Sequence, residues 1–423
     1  MRLFPATPPP GPFRPGFFRS PLRGPWLTSM LGSLLLVAMI LVAVTGLLSH
    51  AAYQPDLGFN AIVPRNADAP LLNIGWPTHP SWLYALTQGT HVTLGILAVP
   101  LLLAKLWSVI PRLFAWPPVA SAAQALERLS LLALVGGAVF QFATGIVNAQ
   151  VYYPFKFGFV TAHYYGAWVF MSALAIHVLV KLPTIRRAYR ERGVLKPLRD
   201  SLEQTRPEPR EPDGLVSDRP AEPTLSRRGL FGVVGAMTAG LFVVTAGQSI
   251  GGPLRRAALL APRGRVRGSG PNDFEVNKTA ATARITPQMT GAGYRLKVQG
   301  RRSLELSRAQ LLALPQHTEH LPIACVEGWS TTQAWTGVRL RDLAALAGVP
   351  ASTQLHVGSL QKAGALRQAT LARGQVADER SLLALKVNGA DLSPDHGYPA
   401  RVIVPALPGV HCTTWVATLD FRG

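Results

Sequence analysis

The chain has 423 residues, 48% of them hydrophobic and 15% charged, and carries a formal charge of +20. That length holds two or three domains, and so apolar a composition excludes a wholly soluble protein. The excess positive charge sits beside apolar runs, where it orients helices in a bilayer, which argues against a nucleic-acid partner.

The basic N-terminus, 1–26, carries Arg14, Arg19 and Arg23 and no acid. Four apolar runs follow at 27–49, 82–107, 126–149 and 161–182, each near or above the ~20 residues that cross a bilayer. The stretch after the fourth is crowded with Arg186, Arg187, Arg190, Arg192, Lys196 and Arg199. Positive flanks place both this stretch and the N-terminus in the cytoplasm, and the loops after the first and third runs outside. The membrane domain is therefore expected over 27–183. Residues 184–226, rich in Pro, Glu, Asp and Arg from Lys196 onward, read as a disordered cytoplasmic linker.

A fifth run, 229–250, begins just after Ser226-Arg227-Arg228. This resembles an internal twin-arginine export signal, and the same arginines also serve as positive-inside flanking charges. Either way the fifth transmembrane helix, 227–251, delivers the C-terminal third of the chain to the extracytoplasmic side of the cell membrane. A linker, 252–269, leads to a C-terminal domain over 270–423.

Histidines mark the apolar runs. His91, His163 and His177 lie inside them and His50 at the outer end of the first. Ionisable groups at membrane depth are costly and usually functional. His163 and His177 are 14 residues apart, a rise of ~21 Å with ~40° of residual rotation, so they share one helix face at two depths. That is the geometry needed to hold two haems, one near each membrane surface, with an electron path between them.

The segment 27–182 resembles the four-helix di-haem cytochrome b of the formate-dehydrogenase and hydrogenase membrane-subunit kind. The resemblance implies that His91 and His163 hold the iron of an outer haem b. The family's partner for the inner haem lies at the cytoplasmic start of the first helix, where this chain has no histidine. A second pairing, His50 with His163 and His91 with His177, stays open.

Beyond 270 the apolar runs give way to short strands, polar turns and compact helices, an α+β pattern. "YRLKVQG" reads as a strand, and "SRAQLLALP" as a helix capped by Ser307 and stopped by Pro315. "LPIACV" reads as a buried strand, "RLRDLAALAG" as a helix closed by Gly348, and "ARVIVPA" and "WVATLDF" as strands. The only cysteines are Cys325 and Cys412, in no CxxC pair, which excludes a disulfide framework and a structural zinc site.

"CVEGWS" with "AWTGVRLRDLAALAG", followed by "LSPDHGYPARVIVPALPGV" and "TWVATLDF", resembles the sulfite-oxidase family of molybdopterin oxidoreductases, nearest its periplasmic methionine-sulfoxide-reductase branch. The resemblance implies that the Cys325 thiolate binds molybdenum, with Glu327 and Trp329 shaping the catalytic pocket and Trp335 helping to exclude water. It implies cofactor contacts at Asn272, Ser359, His396 and Arg401. After "VPALPGV" the family has phosphate-binding lysines where this chain has His411 and Thr414. Cys412 reads as a small buried residue.

The whole is expected to be a multidomain membrane enzyme: an α-helical cytochrome b bundle plus an extracytoplasmic α+β molybdopterin domain. Its expected partners are the lipid bilayer, quinone and a small extracytoplasmic substrate, reached by oxygen-atom transfer with S-oxide reduction favoured. One alternative is a sulfite-type dehydrogenase, which needs arginines around the metal, with Arg339, Arg341, Arg367 and Arg373 as candidates. Another is a cofactor-free binding module on a quinone-linked cytochrome.

Overall fold

The computed structural model describes residues 5, 7–14, 16–53, 75–119, 121–210, 214–364 and 367–422. The loop expected outside the membrane after the first run lies mostly beyond these, at 54–74. Among the described residues, five helices are long and apolar enough to cross a membrane: Pro25–Ala52, Leu83–Leu113, Gln124–Ala149, Phe159–Arg192 and Arg227–Ile250. Each overlaps one of the five apolar runs, because an unbroken apolar stretch can satisfy its backbone in lipid only as a helix.

By element, these are α1 (Pro25–Ala52), α2 (Leu83–Leu97), α3 (Val99–Leu113), α4 (Ala122–Ala149), α5 (Phe159–Arg192) and α6 (Arg227–Thr245). The division between α2 and α3 falls at Pro100, near the first turn of α3, where its missing N–H is tolerated. The short helix Gly247–Ile250 follows α6.

The chain forms two compact units. The first comprises Met1–Ala43, Leu94–Val147 and Ala162–Phe242, and the second Val44–Thr93, Asn148–Thr161 and Val243–Gly423. In the first unit, Trp26, Leu27 and Leu31 of α1 pack with Leu101 and Trp107 of α3 and Leu230 and Phe231 of α6.

The stretch expected to be a disordered linker is instead packed in the first unit. The Glu208 carboxylate accepts the backbone N–H of Trp26 at 2.8 Å and of Leu27 at 3.3 Å, and pairs with Arg192 at 3.6 Å. A carboxylate at a helix start satisfies orphan N–H groups and the positive end of the dipole. Arg227 is fully buried and donates to the Arg206 carbonyl at 2.8 Å. Composition alone cannot reveal a partner that lies nearly 200 residues away in the chain.

The C-terminal part of the second unit carries two sheets. One has the order β2 (Ser303–Ser307), β1 (Arg295–Gln299), β10 (Val416–Arg422), β5 (Gln354–Ser359) and β6 (Gln368–Leu371). Only its β1–β10 pair is parallel, with Lys297 opposite Thr418. The other runs β3 (His317–Ala324), β4 (Ser330–Arg339), β7 (Leu382–Val387) and β8 (Ala390–Asp391), with β9 (Arg401–Ile403) also on β7.

Alternation drives this arrangement. In β1 every second residue is buried, so Leu296 and Val298 enter a core with Leu343, Leu355 and Val402 while Lys297 faces outward. The helix Arg308–Ala313 begins with a full capping box between Ser307 and Gln310, as its sequence predicts. Gly348, with φ 76°, follows the helix Leu340–Leu346 in the left-handed conformation that glycine adopts without strain.

Candidate active site

Cys325 leaves the end of β3 on a tight turn. Its carbonyl accepts Gly328 N–H and its own N–H reaches the Trp329 carbonyl, both at 3.0 Å. Gly328 has φ 93°, which a side chain would strain, and a Cβ there would stand 2.8 Å from Val92. The loop after β9 is held against this turn by Gly409 N–H donating to the Ala324 carbonyl at 2.7 Å.

The thiol is buried in an apolar cluster with Phe274, Trp329, Trp335 and Cys412, and both cysteines are free. Its sulfur donates weakly to Asn277 Oδ1 at 3.5 Å. Burial pushes its pKa up to about 12, Glu327 adds to the rise, and Arg263 and two backbone N–H groups oppose it. The protein alone therefore keeps Cys325 protonated, and a bound metal cation is what would draw the proton off.

Glu327 is not a free base. Its buried carboxylate takes Arg263 Nε at 2.9 Å and Nη2 at 2.6 Å, and Trp329 Nε1 at 2.9 Å. Both oxygens are committed, so Glu327 anchors the turn. Arg263 comes from the segment read from sequence as a linker, and nothing local announced it.

Helix ends from the same unit also grip the turn. Gln88 Nε2 on α2 donates to the Val326 carbonyl at 2.7 Å. Ser249 Oγ donates to the Gly328 carbonyl, and Ser330 Oγ donates to the Ser249 carbonyl at 2.9 Å. Trp335 is fully buried with Nε1 on the Leu321 carbonyl at 3.1 Å, edge-on to Phe274 at 5.8 Å.

A cleft opens beside this turn, lined in part by Asn277, Lys278, Gln361, Asp395, Arg401 and Thr413. Arg401 is buried, its guanidinium 5.6 Å over the Trp335 ring and its Nη1 on the His396 carbonyl at 3.3 Å. Burial lowers its pKa to about 10, which leaves it a cation. Among the described residues, Arg401 Nε, Thr413 Oγ1 and His396 Nδ1 are buried with no hydrogen-bond partner. Three orphaned polar atoms in one neighbourhood are costly unless a polar ligand answers them.

His396 stacks on Phe274 at 3.7 Å and gives its Nε2 proton to the Asn272 carbonyl at 2.9 Å, which leaves Nδ1 a bare acceptor. Asn272 and Ser359, expected to touch a cofactor, have their side chains committed elsewhere. The Asn272 amide bonds the Asp391 carbonyl and Ser393 N–H. Ser359 Oγ bonds the Thr414 carbonyl at 2.7 Å. Neither side chain lines the cleft. His411 is not on the cleft either: it is fully buried with its ring 5.7 Å from that of Tyr53.

Burial lowers the pKa of His396 to about 4, with Arg401 adding to the effect, and that of His411 to about 3. The unfolded chain takes up these protons near pH 6.5 and the fold refuses them until lower pH, so stability is full above 6.5 and lost on acidification. The melting temperature of the C-terminal region is expected to fall from pH 6.5 toward pH 4, and the Tyr53-facing substitution His411→Phe to flatten that slope.

Residues 283–423 match the family model described as the oxidoreductase molybdopterin binding domain. The C-terminal region therefore carries a molybdopterin-binding domain. The chain is similar to an uncharacterized oxidoreductase, YuiH, of Bacillus subtilis, at 32% identity over 27% of this chain and 58% of that protein. Sulfite oxidase of Gallus gallus is 31% identical over 31% of this chain and 35% of its own length. Nitrate reductase [NADH] of Volvox carteri is 28% identical over 31% of this chain and 19% of its own. The chain thus spans less than two thirds of the length of each of these relatives.

The molybdopterin-binding domain fits its cofactor on its own geometry. Cys325 is a buried soft donor next to a cleft where Arg401 Nε and Thr413 Oγ1 lack partners, and Arg401 offers a fixed guanidinium for an oxyanion. The residues that a resemblance could not supply are Asn277, Lys278, Gln361 and Thr413, which reach the cleft from separate loops.

The histidines of the apolar helices fall in both units. His50 and His91 belong to the second unit, His163 and His177 to the first. The His91 ring lies against Gly46 of α1, where a Cβ would come within 2.6 Å of the ring. The His163 ring lies 3.6 Å from the position a Cβ on Gly145 would take, and its Nδ1 is 3.2 Å from Thr144 Oγ1. His177 is half-buried on α5.

Proposed function

We propose that this protein is a membrane-bound molybdenum-cofactor oxidoreductase. It exchanges electrons between the quinone pool, b-type haem and a small extracytoplasmic substrate, with reduction of an S-oxide favoured. The observation that carries the reading is the seat of Cys325: its turn is hydrogen-bonded by Gln88, one helical turn from His91 on the same helix. The helix that would hold a haem ligand also touches the metal-binding turn.

Cys325 would hold molybdenum through its thiolate, and Arg401 would engage the phosphate of the pterin. The bound centre supplies two-electron oxygen-atom exchange, R₂SO + 2e⁻ + 2H⁺ giving R₂S + H₂O, and haem supplies one-electron steps. Trp329 and Trp335 keep water from the thiolate side, and the Glu327–Arg263 pair holds the turn rigid. By the resemblance His91, in the second unit, and His163, in the first, are each candidate ligands of haem b iron, and each ring lies beside a glycine. His50 and His177 stay candidate haem ligands whose partners are left open.

Of the arginines that a sulfite site could use, three are committed or distant. Arg263, the cation beside Cys325, is already paired with Glu327. Arg339 lies nine residues beyond Ser330 on the same strand, roughly 30 Å along it. Arg341 is paired with Glu379 at 2.7 Å. The positive-inside pattern, the twin-arginine-like Ser226-Arg227-Arg228 and the five apolar helices support a cell-membrane location with the molybdopterin domain outside.

Molybdenum, pterin and haem would be counted in the purified protein, followed by haem absorbance after addition of a sulfoxide to the reduced form or sulfite to the oxidised form. Sulfoxide-dependent haem oxidation is expected. Sulfite-dependent haem reduction would reverse the direction, and absence of haem would remove the cytochrome from the scheme.

A further inference from the structure

The resemblance assigns phosphate binding to lysines in the loop after "VPALPGV", yet that loop here carries no cation at those positions. His411 is buried beside Tyr53, and burial keeps its ring neutral near pH 7. Thr414 has no charge to offer. A dianionic phosphate monoester would therefore meet one guanidinium, Arg401, unless charge arrives from elsewhere in the fold.

We propose that Lys278, together with Arg401, binds the phosphate end of the molybdopterin, replacing from a different segment the lysines that the loop lacks. Lys278 lies two residues before the short helix Ala280–Ala283 and lines the same cleft as Arg401, Thr413 and Thr414. Its side chain is half-buried, and its ammonium makes no hydrogen bond or ion pair among the described residues. The neighbouring groups are similarly poised: Arg401 Nε and Thr413 Oγ1 are buried donors without acceptors.

Asp395 also lines the cleft, but its Oδ1 is occupied by Ala280 N–H at 2.8 Å. That bond ties the helix following Lys278 to the cleft wall and so fixes where the lysine stands. Two cations against one carboxylate leave the cleft net positive, which favours the entry of a phosphate of charge −1.5 to −2. Lys278 precedes the segment 283–423 that matches the family model, so its role is set by the fold and not by the matched motif.

The inference rests on the cleft holding the pterin. Its test is the pterin content of the full-length purified protein, measured by fluorescence after oxidative release, for wild type, Lys278→Gln and Lys278→Arg, each washed at low and high salt. Loss of one charge-assisted contact is expected to lower retained pterin in Lys278→Gln by about tenfold at high salt. Lys278→Arg is expected to hold nearly the wild-type amount. Wild-type retention in Lys278→Gln overturns the proposal, and so does equal loss in both variants, since the charge would then not be the cause. Wild-type protein free of pterin would instead overturn the cofactor reading of the cleft.

Discussion

Cys325→Ser is expected to abolish oxygen-atom exchange, by on the order of 10³-fold or more, the scale reached when a group at the reacting centre is removed. A serine hydroxyl is a harder, more weakly acidic donor than a thiol and does not offer an anionic soft ligand at neutral pH. The fold should survive, because the new hydroxyl can donate to Asn277 Oδ1 as the thiol does, limiting the cost of a polar group in the cluster to about 1–2 kcal/mol. Activity with a small S-oxide, pterin content and haem absorbance would be measured on one preparation. Loss of turnover with pterin and haem retained is the expected pattern. Turnover close to wild type would remove Cys325 from the site.

The second large effect concerns a residue outside the matched segment. Arg263→Ala leaves the Glu327 carboxylate buried with only the Trp329 N–H to answer it. Removing one partner of a buried pair costs about 3–5 kcal/mol, and because Arg263 is itself a quarter exposed the lower end is expected, about 3 kcal/mol. The damage should be local. Backbone amides of 325–330 should exchange hydrogen faster, and the melting temperature should drop. Adding Glu327→Gln should recover part of the loss, since a neutral amide oxygen keeps the Trp329 bond without a stranded charge. A single substitution with no effect on exchange or melting would show that the pair does not hold the turn.

These two residues separate what a linear reading can find from what it cannot. Cys325 is legible because its neighbours in the chain carry the motif, and the Ser307 capping box is legible because both of its members lie within one turn. Arg263 is 64 residues from Glu327, and Gln88 is 238 residues from Val326. Such pairs leave no periodicity and no local compositional trace. The 196–226 stretch shows the same thing in reverse: its Pro- and Glu-rich composition predicts disorder, yet Glu208 is held by the start of α1. Asn272, Ser359 and His411 were legible as members of motifs, but their side chains turn to backbone partners or to Tyr53.

From its sequence alone, this protein's five apolar helices and the α+β character of its C-terminal region were determined, because each depends on residues adjacent in the chain. Which cations reach the cleft, which arginine pairs with Glu327 and which helix end holds the Cys325 turn were decided only by tertiary structure. The physical reason is distance: charge complementarity and orphaned hydrogen-bond atoms act through space, and the chain brings their partners together only once both sheets and the helix ends have packed.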